Sequence, residues 1–192
     1  MLRRDFLKSM LIGGACAPLL TPQQLFAQTS SDNSNTTVPT VLWARRGKEE
    51  FQVDYSTDEG YKKIAWLLRD VQGGNIVGYP DYRLLQLDSW MQAWLAAYGY
   101  HVCFNIHSGL RTPKTNKRIE RAAQASWHLP DDRMMFRAND FSVKEISSEY
   151  MGRLAALAQQ GGVGFYSNDN FTHADTGDLI SKKTGNPRYW RG

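Results

Sequence analysis

Val41-Leu42-Trp43-Ala44-Arg45-Arg46 is a mostly apolar run, apolar and polar positions alternate through Phe51-Gln52-Val53-Asp54-Tyr55, and Gly47 lies between the two. That pattern predicts a short β-hairpin. The period then lengthens. Tyr61, Ile64, Ala65 and Leu68 recur at helical spacing behind Ser56, a candidate cap, and the pattern stops before Gly73-Gly74. Leu84, Leu87, Met91, Trp94 and Leu95 repeat it between Asp81 and Gly99, predicting a second helix with an aspartate cap and a glycine stop. Residues 101–106 predict a strand, Ser108-Gly109 a turn, and Thr112-Pro113 the start of a third helix running to about Ala125. Residues 136–143 predict another strand, and Ser147 or Ser148 caps a fourth helix that ends at Gly161-Gly162. Val163–Tyr166 and residues 170–175 close the pattern as strands. Helices grouped ahead of a small antiparallel sheet, which they flank, give an α+β domain. Trp90, Trp94 and Tyr98 share a helical face and read as core, and Cys103 between apolar neighbours reads as a structural thiol.

The first residues follow a different logic. Arg3-Arg4-Asp5-Phe6-Leu7-Lys8 precedes an apolar stretch, residues 10–20, that is too short to span a bilayer. A charged start, a short apolar segment and an alanine exit make a secretory leader, and the paired arginines resemble the twin-arginine export signal. The expected organisation is a leader at 1–27, a Ser/Thr/Asn-rich disordered linker at 28–40 and one domain at 41–192. A lipid anchor on Cys16 is a second reading, although Gly13 occupies the place where such motifs carry leucine. The partner implied is the twin-arginine export machinery, the destination is the periplasm, and no stable membrane span remains after cleavage.

Charge narrows the class further. The chain carries 23 Lys+Arg and 19 Asp+Glu, and removing Arg3, Arg4, Lys8 and Asp5 with the leader leaves 20 against 18. So small an excess argues against nucleic acid as a partner. Cys103 is the single cysteine beyond the leader, so no disulfide forms within the mature chain.

Candidate chemistry lies in the second half. His128 follows Ser126-Trp127, Asp140 sits in the apolar segment Ala138-Asn139-Asp140-Phe141, and His173 stands in Phe171-Thr172-His173-Ala174-Asp175. Imidazole and carboxylate are zinc ligands, and a catalytic zinc takes three protein groups. Alternate side chains of a strand share a face, so Asp140 and His173 can meet across neighbouring strands. The residues are far apart in sequence and no HExxH occurs; a histidine hydrogen-bonded within the sheet is the other reading of His173, and the Asp175-Thr176-Gly177 that follows weighs against it. His107 at a strand end reads as exposed, and Ser108 and Ser126 as turn or cap residues.

Five blocks in order complete the picture: Ser108-Gly109-Leu110-Arg111-Thr112-Pro113-Lys114-Thr115-Asn116, Ser126-Trp127-His128, Ala138-Asn139-Asp140-Phe141, Gly161-Gly162-Val163-Gly164-Phe165-Tyr166 and Phe171-Thr172-His173-Ala174-Asp175-Thr176-Gly177. Together they resemble the M15 family of zinc peptidases, in particular its murein endopeptidase K group, and Arg188-Tyr189-Trp190 resembles that group's ending. The resemblance covers the chain from about Val41 onward. It implies a zinc D-Ala-D-Ala peptidase-like (Hedgehog/DD-peptidase-like) domain, with Zn2+ held by His128, Asp140 and His173, and peptidoglycan as the substrate. It assigns Arg111 to the substrate carbonyl, because a carbonyl under attack gains negative charge that a fixed guanidinium stabilises. A salt bridge bracing the loop is the other reading of Arg111.

Two departures from the family pattern stand out. Eleven residues separate His128 from Asp140 where the family has six, which leaves Asp131 and Asp132 as alternative ligands. The family's usual base position falls on Asn170 and Phe171, so Asp175 is either the general base or the group that orients a ligand. Three functions follow: an endopeptidase cutting murein cross-links, a carboxypeptidase trimming a terminal D-amino acid, or a non-catalytic murein-binding domain.

Overall fold

The computed structural model describes residues 39–120 and 122–192. The expected leader and all but the last two residues of the expected linker lie outside the described residues. Strands β1 (Val41–Arg46) and β2 (Glu49–Asp54) form the hairpin, from Val41 opposite Asp54 to Arg46 opposite Glu49. Helix α1 (Asp58–Leu67) is capped by Thr57, whose hydroxyl accepts from the Gly60 N–H, and not by Ser56. Ser56 instead bonds the Asp54 carboxylate through its N–H and its hydroxyl, which removes it from competition for the helix end.

Strand β3 (Tyr79–Pro80) leads into helix α2 (Tyr82–Ala97), capped as expected by Asp81, which accepts from the Arg83 N–H. Strand β4 (Phe104–Ser108) begins later than the sequence pattern suggests, because its neighbour β1 pairs only with Phe104 and Asn105. The third helix is much shorter than expected: α3 is only Pro113–Asn116. Thr112 caps it correctly, but the residues beyond offer no apolar stripe to bury, and packing of such a stripe is what sustains a helix. Asn116 Nδ2 donates to Ala123 O across the loop that replaces it.

The strand expected at 136–143 is two pieces, β5 (Met135–Phe136) and β6 (Ala138–Val143). Arg137 separates them by donating its N–H to Trp127 O, and β5 turns away to pair with β3 in a small two-stranded sheet. Helix α4 (Ser148–Ala158) is capped by Ser147, and β7 (Val163–Tyr166) and β8 (Phe171–Asp175) follow as expected. A last strand, β9 (Tyr189–Arg191), was not legible as a strand.

The main sheet has seven strands in the order β2-β1-β4-β6-β8-β7-β9. It is mixed rather than purely antiparallel. β1 runs parallel to β4 because the connection between them carries α1 and α2, and β7 runs parallel to β9 after a long return. The α+β reading holds, with helices packed on an apolar sheet face. Leu42, Ala44, Phe104, Phe141, Leu84, Met91, Met151 and Ala155 belong to that core, and Phe104 stacks on Phe141 with centroids 4.4 Å apart. Trp90 is buried there, whereas Tyr98 at the end of the same helical face is exposed, and Cys103 is half-buried outside any strand.

Candidate metal centre

One face of β6 enters the core and the other does not. Asn139 and Phe141 are buried on either side of Asp140 in sequence, and alternation sends Asp140 to the opposite face. Register then does the assembling. Ser108 on β4 lies opposite Asp140, Asp140 opposite His173 on β8, His173 opposite Gly164 on β7, and Gly164 opposite Trp190 on β9. A β-bulge between Ile106 and Ser108 brings Ser108 into this row. Gly164 is required in it, because a Cβ there would sit 2.7 Å from Trp190 Nε1 and 2.7 Å from the Tyr166 ring.

His128 joins the row from a loop. Its Nε2 lies 3.2 Å from Asp140 Oδ1 and 3.1 Å from His173 Nδ1, and His173 Nδ1 lies 2.9 Å from Asp140 Oδ1. All three residues are buried, and among the described residues they are the group of acids, histidines and cysteines suited to holding a metal. Asp131 and Asp132 are elsewhere. Asp131 Oδ1 accepts the Arg133 and Met135 N–H groups within its own turn, and Asp132 is exposed. The longer segment between His128 and Asp140 is therefore absorbed by this turn and β5.

The remaining ring nitrogens identify the tautomers. His128 Nδ1 lies 2.6 Å from Gly109 O, a pure acceptor, so Nδ1 carries the hydrogen and Nε2 keeps its lone pair for the cluster. His173 Nε2 lies 3.1 Å from Asp175 Oδ2, an acceptor for the hydrogen on Nε2, so Nδ1 is the nitrogen turned toward Asp140 and His128. A carbonyl behind one histidine and a carboxylate behind the other is the support that metal-bound imidazoles require. The donor separations of 2.9–3.2 Å approach the roughly 3.3 Å edge of a tetrahedral zinc site with bonds near 2 Å. The three residues fit a zinc ion.

The electrostatics of the cluster favour a cation at this place. Burial pushes His128 below its ordinary value, which favours the neutral imidazole a ligand needs. Burial opposes the charge on His173 too, but its bonds to Asp140 and Asp175 overcome this and raise it to about 9. Burial would raise Asp140, yet His128 and His173 hold it well below the usual carboxylate range. The pocket thus favours positive charge between its carboxylates.

Arg111 contributes a guanidinium to the same place. Its Nη2 is paired with Asp140 Oδ2 and its Nε donates to Ser108 Oγ at 2.8 Å. The loop around it is fixed by backbone contacts: Arg111 N–H donates to His128 O, Leu110 N–H to Leu68 O, and Thr112 N–H to buried Asp70 Oδ2. Asp175 is 1% exposed and saturated. Besides His173 it takes Arg188 Nη1 on Oδ1 and Nη2 on Oδ2, each at 3.0 Å, and the N–H groups of Gly162 and Gly177. Burial would raise its pKa, but these partners, His173 first, lower it to about 2.

A model of the family described as Peptidase M15 matches residues 60–175. The chain belongs to the peptidase M15 family. It is 26% identical over 197 residues to the probable peptidoglycan L,D-endopeptidase MepK of Haemophilus influenzae, an alignment covering 96% of this chain and 95% of that protein. No solved structure matches the chain.

The M15 domain sets its cluster in a cleft of about 1020 Å³ lined by Arg111, His128, Asp140, His173, Tyr166 and Trp190, among others. Trp190 closes one side, its ring 5.0 Å from that of His173 and its Nε1 donating to Tyr166 OH at 3.0 Å. Sequence reasoning noted Arg188 and Trp190 only as a resemblance. Their roles depend on β9 returning beside β7, a long-range pairing with no local signal.

Proposed function

We propose that the chain is a periplasmic, zinc-dependent murein endopeptidase that hydrolyses peptide cross-links of peptidoglycan. The observation that carries this reading is the buried trio His128, Asp140 and His173, with both outer ring nitrogens tied off and Arg111 alongside, at the floor of an M15 cleft. When bound, zinc supplies Lewis acidity, polarising a peptide carbonyl and acidifying water. The chain's own groups do the rest. His128 and His173 present lone pairs at fixed angles, and Asp140 adds the negative charge that makes the site selective for a cation. Arg111, anchored by Ser108, supplies fixed positive charge for the oxygen that becomes anionic as the peptide bond is broken. Asp175 serves as the orienting group for His173 rather than the base, since its oxygens are already engaged by four partners and it is screened from the cleft.

The endopeptidase reading is favoured over the carboxypeptidase one by the cleft's cations. A terminal carboxylate needs an uncommitted cationic partner. Among the described residues, the lining arginines other than Arg111, which serves the carbonyl under attack, are each paired: Arg188 with Asp175 and Arg191 with Glu149. The similarity to MepK supports the same choice. Digestion of purified sacculi tests it: cross-linked dimers decline if the reading holds, whereas loss of terminal residues from uncross-linked stems with dimers intact identifies a carboxypeptidase.

Delivery by the twin-arginine route, with removal of residues 1–27, completes the proposal. No helix among the described residues is long and apolar enough to cross a membrane. Replacing Arg3 and Arg4 together by lysine keeps the charge but removes the pair that the export receptor reads, so folded precursor accumulates in the cytoplasm. Normal periplasmic processing of that double variant excludes the route.

A further inference from the structure

The back of the strand that carries Asp140 holds a carboxyl group that the proposed chemistry does not use. Asp88, on the inner face of α2, is 1% exposed, and Asn139, the residue before Asp140, is 0% exposed. Asn139 Nδ2 donates to Asp88 Oδ2 at 2.7 Å. Each side chain also has one oxygen left over: Asp88 Oδ1 and Asn139 Oδ1 are both buried without a hydrogen-bond partner among the described residues. Two orphaned acceptors on side chains already joined by one bond are costly, because neither can recover the hydration it lost. One proton resolves both. On Asp88 Oδ1 it turns that oxygen into a donor, and Asn139 Oδ1 is the unfilled acceptor on the side chain already bonded to Asp88.

We propose that Asp88 is a neutral carboxylic acid in the folded protein at neutral pH, bonded through its proton to Asn139, and that this pair is a positioning device for Asp140. Successive strand residues point to opposite faces, so clamping Asn139 from the core side fixes the rotation of β6 that presents Asp140 to the cleft. The surroundings suit a neutral group. The buried side chains of β1 and α4, which pack on α2, are uncharged: Leu42 and Ala44, and Met151, Leu154 and Ala155; the charged Asp140 of β6 lies on the other face of its strand, paired with Arg111. From outside α2, the Tyr55 phenol feels the charge of Asp88; burial pushes it up to about 12, and it is bonded to Pro39 O and Ser89. Among the described residues no arginine, lysine or histidine pairs with Asp88. Burial accordingly drives the Asp88 carboxyl well above the usual carboxylate range, against a smaller opposing effect of the Asn139 bond.

The linkage has a definite sign. A carboxyl with a raised folded-state pKa binds its proton more tightly in the native than in the unfolded chain. Its contribution is complete below an unfolded pKa of about 4 and is lost as pH rises toward the folded pKa. Asp88→Asn mimics the neutral acid, since its amide supplies both a donor and an acceptor, but it does not titrate. The expected result is that the folding constant of the wild type, divided by that of Asp88→Asn, falls about tenfold per pH unit above about pH 4, until the folded pKa is reached. A ratio that is flat or rising between about pH 5 and 8 overturns the proposal. Carbon-13 NMR of the wild type gives a second reading that survives a misfolded variant: the Asp88 carboxyl resonance stays at its protonated position at pH 7, and an ionised position there overturns the proposal.

The positioning role has its own readout, which rests on the zinc reading above. Asn139→Ala weakens zinc affinity several-fold while Asp88→Asn leaves it within twofold. Equal affinity in all three proteins removes the positioning role. A wild type that binds no zinc at all defeats the metal reading instead, and leaves the NMR result to decide the protonation of Asp88.

Discussion

The two histidines of the cluster are held in opposite ways. His128 comes from a loop and is fixed by backbone: its ring donates to Gly109 O, and its own carbonyl accepts the Arg111 N–H. His173 comes from the middle of a sheet and is fixed by side chains: Asp175 behind it, and Arg188 clamped on both Asp175 oxygens. A loop has no ladder to set its direction, so it borrows rigidity from the neighbouring Gly109–Arg111 backbone, which itself rests on Leu68 and Asp70. A strand already has direction, and only the rotation of the ring remains to be set. The two ends of one site should therefore respond differently to substitution: the loop end to changes of backbone shape, the strand end to loss of charge.

The largest effect expected is at Arg111. Its backbone supports His128 while its guanidinium faces the cleft, so Arg111→Ala separates the two functions. Turnover on a cross-linked muropeptide falls roughly 10²–10³-fold, the scale for losing an oxyanion donor, and zinc affinity changes only a few-fold. A protein that loses its zinc on this substitution would mean that the loop end also depends on a side chain. Next comes Asp175→Asn, which weakens zinc binding about 10–100-fold, with added zinc restoring part of the rate. Arg188→Ala moves affinity the same way by less, because Asp175 keeps its two N–H partners. Unchanged affinity in both variants removes the side-chain support assigned to His173.

A smaller effect probes the loop end. A Cβ on Gly109 would fall 2.3 Å from Leu68 O, so Gly109→Ala displaces the carbonyl that holds His128. Thermal or denaturant unfolding should show a loss of about 1–3 kcal/mol, the usual cost of forcing atoms into a packed site. The smallest effect is at Asp131, whose carboxylate serves only its own exposed turn. Asp131→Ala leaves zinc binding unchanged and has little effect on stability, because water replaces the bonds of an exposed carboxylate. Zinc loss there would restore Asp131 as a ligand.

The same contrast explains what the sequence could reveal. The hairpin, the Asp81 and Ser147 caps and the alternation in 138–143 and 171–175 are local signals, and the structure has them where the pattern put them. The row from Asp140 to His173 follows from that alternation once two strands are neighbours. The third helix is shorter than its sequence suggests because a good cap at Thr112 says where a helix starts and nothing about how long it lasts. β9 and the clamp by Arg188 were out of reach, since a three-residue strand gains its identity only from the partner it meets. Asp88 was invisible for a related reason. An aspartate within a helical pattern reads as solvent-facing until the opposing strand supplies Asn139.

The proposed chemistry depends on one zinc ion held by His128, Asp140 and His173. Elemental analysis of the purified mature protein, wild type and Asp140→Ala side by side, addresses it directly. About one zinc per wild-type chain is expected, and near none in the folded variant. Wild-type protein that stays folded but retains no metal after exposure to zinc, or an Asp140→Ala variant that keeps a full equivalent, would contradict it.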